Sequence, residues 1–588
     1  MKRITTLLLT ILSILYTTSC SDIRFGDKFL GSQPESSGAD LEKMFSSAVN
    51  AEKVLTKAYT YLPYGIPTGP GANNKLGVNT LESITDLQQS FRDNISDGPI
   101  NLYYNGALSA NVNNQQKGSE AYRFGDENEY NAIRYAYFYL ENIDRVPDLT
   151  DDQKRVKKAE AKAIVALSYA EMLRYIGGLP WIDHAIQPNE ELQFPRLTFG
   201  ETVDHIVALL DEAAADLPWE YSSVDNGRLT KAGIMALKVR VLLFAASPTF
   251  NSDTPWHPNA DEYTRYPSYQ KERWTKVIDA AKAFFNELNR RGVYQLVMPT
   301  EETALARQLA FRSAYSDRES SEVLISTRRG YNAVNTHNDL YSQRYYSGPT
   351  LNYVNMFSWA DGTDFPEDFD WSNPAKDPFF TNGEPNRDPR LYETVVVPGD
   401  RWFNGNYAPV YVNHPNYRPT SGFGMMKFIY RENSDRANKP AHWPYMRLPE
   451  VMLSYAEAIN EVNGGPDAIA YEMVNKIRHR VGLPDLAPGL SKETFRAAVL
   501  HERALEFGYE EVRWFDLVRW GRKDDFTKTL YGLLSRADNH ASPTSFTYTP
   551  FKLNERNWAK NWDAKWYLAP IPQDEINKKY GMIQNPGW

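Results

Sequence analysis

Apolar positions along the chain recur at helical spacing in two blocks, separated by a long stretch where they do not. The first block opens near Ala39, with Asp40 read as the N-cap. Leu41, Met44, Val49, Val54, Leu55 and Tyr59 then form one apolar face up to Pro63. Residues 64–126 break the pattern with Gly- and Asn-rich sequence such as Gly69-Pro70-Gly71-Ala72-Asn73-Asn74, and a loop of that length points to function or disorder. The helical period returns over 127–143, with Tyr130, Tyr135, Tyr137, Phe138 and Tyr139. It continues over Asp151–Ile176 behind the cap Thr150, and Gly177-Gly178-Leu179-Pro180 stops it. Further helices are predicted over 198–216, 230–246 (before Ser247-Pro248) and 269–291 (before Gly292). Small Ala-rich faces at this spacing suggest tetratricopeptide-like helix pairs that stack on one another, without a strict 34-residue repeat.

Residues 293–445 are rich in Tyr, Asn, Pro, Gly and Asp and lack a sustained helical period. Short pieces such as Glu322–Thr327 and Glu393–Val397 read as strands between turn residues. Helices resume over 449–462, 466–481 and a long segment, 492–520. The expected fold is mainly α: a helical-pair core over 40–292 with a long loop at 64–126, a loop-rich lobe with short strands over 293–445, and a C-terminal helical segment with its closing tail over 446–588. The last of these is expected to pack with the core as one unit.

Composition changes this picture at one end. Cys20 is the single cysteine among 588 residues. It follows a basic start, Lys2-Arg3, an apolar run over 4–16, and the small residues Thr17-Thr18-Ser19. That is the order of a secretory signal over 1–19, and the run is shorter than the roughly 20 residues a spanning helix needs. A cysteine at the cut is the lipobox arrangement, in which the thiol is acylated, although Thr17 stands where an aliphatic residue is usual. Residues 20–39 then read as a tether. A body without further cysteine has neither disulfides nor a thiol nucleophile. A net charge of −9 argues against a nucleic-acid partner, which needs a basic face. The 14 Trp, 37 Tyr and 27 Phe supply flat apolar faces with polar edges, suited both to a core and to stacking on sugar rings.

Several blocks carry a resemblance. They are Arg447-Leu448-Pro449-Glu450 through Tyr455-Ala456-Glu457-Ala458; Ile477-Arg478-His479-Arg480-Val481-Gly482-Leu483-Pro484; His501-Glu502-Arg503 through Trp514-Phe515-Asp516-Leu517-Val518-Arg519-Trp520; and the tail from Pro570-Ile571-Pro572 to Asn585-Pro586-Gly587. With Arg174–Pro180 and Leu237–Leu243 upstream, they resemble the SusD/RagB-type outer-membrane lipoproteins of Bacteroidetes. The resemblance implies a non-enzymatic, surface-exposed lipoprotein anchored through Cys20. Such a protein would sit on a SusC-like TonB-dependent transporter, capture a glycan with variable loops and deliver it inward. In some members of that family the ligand is a peptide, so capture of peptides or glycoproteins is the alternative within the same fold.

Two other chemistries compete for the same residues. Glu502, Glu506, Glu510, Glu511 and Asp516 lie among Arg503, Arg513 and Arg519, where a carboxylate pair could serve a secreted glycoside hydrolase. The i, i+4 spacing instead favours ion pairs that position helices. His501-Glu502 has no second His at i+4, so no zinc site is expected. The acidic loop 361–370 and the stretch 93–98 lack calcium-loop spacing. No metal or cofactor is expected. The ligand candidates are therefore aromatic and amide side chains in irregular segments: Tyr103, Tyr104 and Asn105 in the first long loop, then Tyr331, Asn332, Tyr345, Tyr346, Trp359 and Trp371 in the middle lobe. Trp274, Trp514 and Trp520 lie in helical patterns and are assigned to the core.

Overall fold

In a computed structural model, the structure describes residues 37–66, 76, 79–91, 100–111, 127–187, 189–191, 193–328, 347–401, 405–432, 434 and 439–588. Cys20 and the tether before Ser37 lie outside them, as do Tyr331, Asn332, Tyr345, Tyr346 and residues 93–98.

The N-terminal helices are α1 (Ser37–Met44), α2 (Ala48–Tyr59), α3 (Glu127–Asn142), α4 (Asp151–Ile176), α5 (Phe199–Asp216), α6 (Lys231–Ala246) and α7 (Glu272–Arg291). Each long helix packs on the next, α2 on α3 and so on through α7. Caps set their boundaries. Thr150 and Thr198 each close a capping box with the residue three positions on, Gln153 and Glu201. Thr230 accepts the Gly233 N–H at the start of α6. At the end of α4, Gly178 lies so close to the following chain that a Cβ there would stand 2.2 Å from the Leu197 carbonyl. No side chain but hydrogen fits. From Ala159 to Ile176, α4 is buried on nearly all sides, and α6 is similarly enclosed, so these two form the middle of the stack.

The helical order continues through α8 (Ala304–Ser316) to α9 (Leu448–Asn463), α10 (Ala468–Arg480), α11 (Lys492–Glu506) and α12 (Arg513–Arg519). Helix α7 packs on α9, and α9 packs on α10, α11 and α6, so both helical blocks share one core. The strands are short antiparallel pairs. They include β1 (Gln88–Ser90) with β3 (Ser347–Pro349), β2 (Val323–Thr327) with β4 (Trp443–Arg447), and the hairpin β5 (Tyr531–Ala537) with β6 (Phe546–Lys552). None of the helices among the described residues is long and apolar enough to cross a membrane.

Four sequence expectations change. Residues 39–63 form two helices, not one: Asp40 lies inside α1, and Ser47 caps α2 by accepting the Asn50 N–H. Residues 492–520 also divide, because the chain turns at 507–512 with positive φ at Tyr509 (65°) and Glu511 (57°). Gly508 at that corner abuts the Tyr353 hydroxyl, where a Cβ would lie 1.9 Å away. Trp514 and Trp520 thus belong to α12 and its cap, and both pack inward. The lobe over 293–445 contains α8, whose apolar spacing was obscured by the exposed Leu305 and Leu309. Finally, Glu393–Val397 is helical through Thr394, and only Val395–Val396 pairs as strand.

Candidate functional site

The β1–β3 ladder joins the two long irregular stretches of the chain. Gln88 pairs with Pro349 and Ser90 with Ser347, so the chain leaves β1 at residue 91 where it enters β3 at residue 347. An antiparallel pair is the topology that brings an exit and an entry to one end. At the opposite end of this short ladder, where Gln88 meets Pro349, the backbone is fixed from several sides. The Thr350 hydroxyl donates to the Asp86 carbonyl at 2.7 Å, and its N–H to the Leu87 carbonyl at 2.9 Å. Asp86 itself is held by Arg513 at 2.9 Å and Lys528 at 2.6 Å. Burial works against its charge, but Arg513 and Lys528 more than offset this and hold its carboxyl well below the usual range.

Tyr104 closes the end where the two irregular stretches meet. In the short helix Ile100–Tyr104, its hydroxyl donates to the Ser83 carbonyl at 2.5 Å and accepts the Ser90 N–H at 2.9 Å. Tyr103 points the other way, into the core against Trp566 (5.7 Å between ring centres) and Trp558 (6.4 Å). Asn105 is exposed and donates to the Asn101 side chain at 2.7 Å. Of the three, Tyr104 and Asn105 stay at the loop junction, while Tyr103 is core.

Trp359 and Trp371 come together elsewhere, in an aromatic cluster with Phe365 and Phe369, where neighbouring rings lie 4.7–5.2 Å apart. They are 8% and 9% exposed, and Lys376 covers the Trp359 ring at 3.7 Å. Trp371 meets Tyr548 of β6, so this cluster fastens the lobe to the hairpin. Two carboxylates of the acidic loop around it bond within their own turns: Asp361 accepts from Thr363, and Asp370 accepts from Ser372 and Asn373.

Residues that sequence reading missed also build the junction. Glu82, in the 3-10 turn Leu81–Ile84, is 1% exposed and accepts the Glu511 N–H at 3.0 Å. Burial, and then the neighbouring Glu511 carboxylate, push its carboxyl up to about 7. Arg556 reaches in from the C-terminal tail. Only its adjacency to the spaced Trp558, Trp562 and Trp566 could have marked it as inward-facing.

The charged C-terminal cluster is buried, and most of its charged groups form ion pairs. Arg447 donates to Glu322 (3.0 Å), Glu506 (2.8 Å) and Glu510 (2.7 Å). Arg480 pairs with Glu322 at 2.8 Å and with Glu506. Arg390 pairs with Glu502 at 2.5 Å and Asp388 at 2.8 Å, and Lys427 with Glu510 at 2.5 Å. Burial opposes the Glu506 charge, and Arg480, Arg447 and Arg390 more than offset it, so its carboxyl is held far below the usual range. Burial lowers the His501 imidazole. A carboxylate held in this way stays ionised and out of reach of substrate, the opposite of a general acid. No group of three or more potential metal-ligating side chains is found among the described residues. A groove of about 240 Å³ lies between α5, α6 and α7, lined by Leu210, Ile234 and Met235 with an Asp211–Lys238 ion pair. It contains no aromatic side chain for stacking.

Comparison with known proteins matches both helical blocks. The profile of the SusD family covers residues 311–588, and a second, described as starch-binding associating with outer membrane, covers 36–243. The chain is 22% identical to SusD-like protein P38 of Formosa agariphila across 90% of its own length and 94% of that relative. It is 23% identical to SusD-like protein P2 of the same organism across 75% and 76%. The fold is that of a SusD-like protein from Bacteroides fragilis, with a TM-score of 0.71, 23% identity and 95% of this chain and 100% of that chain covered. It also resembles surface glycan-binding protein A from Bacteroides uniformis, with a TM-score of 0.60, 17% identity and 92% and 99% coverage. The second profile includes β1 and the first includes β3 with the C-terminal block, and the chain belongs to the SusD family.

Proposed function

We propose that this protein is a cell-surface lipoprotein that binds an oligosaccharide or polysaccharide at the β1–β3 end and delivers it to a SusC-like TonB-dependent transporter in the outer membrane. The observation that carries the reading is the ladder itself, which brings the exit into the first irregular stretch beside the entry from the second, within a SusD-family frame. In this reading Tyr104 and Asn105 form the fixed edge of the site. Tyr331, Asn332, Tyr345 and Tyr346, carried by the segment that enters β3, supply stacking faces and amide hydrogen bonds. Trp359 and Trp371 support the lobe from within. Cys20 carries the lipid.

Calorimetry of the mature chain against a glycan panel tests this. One glycan class is expected to bind, and Tyr345→Ala with Tyr346→Ala should weaken it at least about tenfold, or about 1.4 kcal/mol. Binding to peptides with silence on every glycan would transfer the ligand class. Reducing-sugar release abolished by one carboxylate substitution would replace the binding reading with a hydrolase. Cys20→Ser is expected to free the protein from the membrane fraction of cells lacking the transporter; retention there would refute the anchor.

A further inference from the structure

We infer that Arg556 is the positioning residue of the β1–β3 end: a guanidinium from the C-terminal tail that fixes the strand from which the first ligand loop leaves. The inference rests on the reading of that end as the ligand face. Arg556 is 5% exposed. Its Nε donates to the Gln89 side chain at 2.8 Å, its Nη1 to the Thr85 carbonyl at 2.7 Å and its Nη2 to the Gln88 carbonyl at 2.5 Å. Its plane lies 4.9 Å over the Tyr104 ring. One side chain thus holds three residues of the β1 segment together with the tyrosine whose hydroxyl accepts the Ser90 N–H.

Arg556 shares with the buried Arg196 and Arg387 a set of acceptors that are all neutral carbonyl or amide oxygens. The other guanidiniums of the C-terminal core, such as Arg447, Arg480 and Arg519, each face carboxylates. Arg556 makes no ion pair with any carboxylate among the described residues, and its acceptors are neutral. Burial lowers its affinity for the proton, with partial relief from Tyr104 and Asp86. Desolvating a charge against neutral partners costs free energy that a packing role could avoid with an apolar residue. What an apolar residue or a lysine cannot reproduce is three donors in one plane at fixed angles. The cost is consistent with a need for geometry. The tail is itself firmly seated: Trp558, two residues on, is 1% exposed and packs near Phe526 and Trp566. Arg556 therefore transmits the rigidity of the closing tail to a strand about 467 residues earlier.

The test compares Arg556→Lys with Arg240→Lys, which disturbs a buried arginine paired with Glu450 in the helical frame. Hydrogen exchange and glycan calorimetry are both measured well below the melting temperature. Arg556→Lys is expected to speed exchange at least tenfold in residues 85–91, 100–105 and 347–350 alone, and to weaken the glycan at least tenfold. Arg240→Lys should lower the melting temperature and leave both readouts unchanged. Should Arg556→Lys not fold, Gln89→Leu removes one of the three contacts and should show the same localised pattern. Unchanged exchange at these segments, equal effects from Arg240→Lys, or altered exchange with unaltered affinity would each overturn the inference. If the wild-type chain binds no glycan, the ligand reading fails, and the exchange pattern still decides whether Arg556 positions this end.

Discussion

The two helical blocks have related architecture and opposite cement. In the N-terminal stack, α4 and α6 meet their neighbours mainly through alanines, valines and leucines; ion pairs such as Lys162–Glu212 and Lys158–Asp144 lie at the margin, and the buried pairs, Arg174–Glu171 and Arg240–Glu450, are separate couples with no shared cluster of carboxylates. In the C-terminal block, the space between β4, α10 and α11 is filled by Arg447, Arg480, Glu322, Glu506 and Glu510, all buried. Small apolar faces set a distance between helices but tolerate sliding. A guanidinium shared by three carboxylates sets angles too, because each bond has a direction. The difference fits their duties. The first block is a regular stack, whereas the second must join a strand, a lobe and two helices meeting at the 507–512 corner.

The largest expected effect breaks this contrast at its centre. Arg447→Met removes the cation common to Glu322, Glu506 and Glu510 and leaves their charges buried. A loss of about 3–5 kcal/mol is expected, the usual cost of stripping one partner from a buried pair. Equilibrium denaturation in urea measures it. A loss under 1 kcal/mol would mean the network is no more than surface charge. Acidification should act in the same direction, since the depressed Glu506 contributes stability above its unfolded pKa that disappears as pH falls toward its folded value.

The second prediction concerns a carboxylate of the opposite sort. Glu82, with no cationic salt-bridge partner among the described residues, has its folded pKa raised from 4.5 to about 7. The folded state therefore holds a proton that the unfolded state has released between those values. Its contribution falls as pH rises through this window and stays low above it. Glu82→Gln should remove that slope and stabilise the protein at pH 8 by about 3 kcal/mol at most, the free-energy equivalent of the shift. Urea denaturation between pH 4.5 and 8 checks it. A variant with the wild-type slope would show that another group titrates.

How much of this was legible in the sequence follows from the same contrast. Helices α4, α5 and α6 could be read almost to the residue, because caps and small-residue periodicity are local signals. Thr150, Thr198 and Thr230 announce themselves. The charged cluster was legible as an ion-pair network but not as an interior, because Glu and Arg at i, i+4 also describe a solvated face. Only the distant partners, Glu322 from before β2 and Arg390 from the lobe, convert it to a core. The candidate site was harder still. Tyr104 was visible as an aromatic in a loop, but its partners at Ser83, Ser90 and Arg556 depend on pairing between distant segments. Trp359 and Trp371 looked like loop aromatics because the phenylalanines and Tyr548 that enclose them are separated from one another in sequence.

The smallest expected effect sharpens the comparison within the N-terminal stack, where the two capping boxes differ by one atom type. At α4 the box is Thr150 with Gln153; at α5 it is Thr198 with Glu201. Each threonine accepts one backbone N–H and each third residue returns a bond to the cap. Removing either hydroxyl with Ala should cost about 1 kcal/mol at neutral pH. Their pH dependence should differ. The Glu201 carboxyl is lowered first by its bond from the Thr198 hydroxyl and then by the backbone bond at Thr198. A depressed carboxyl contributes stability above its unfolded pKa and loses it as pH falls. Thr198→Ala should therefore cost less at pH 3 than at pH 7, while the Thr150→Ala cost should stay constant, as Gln153 does not titrate. Urea midpoints for the two variants at both pH values decide it. Parallel behaviour would show that the caps act through backbone geometry alone, with no share for the Glu201 charge at the positive end of α5.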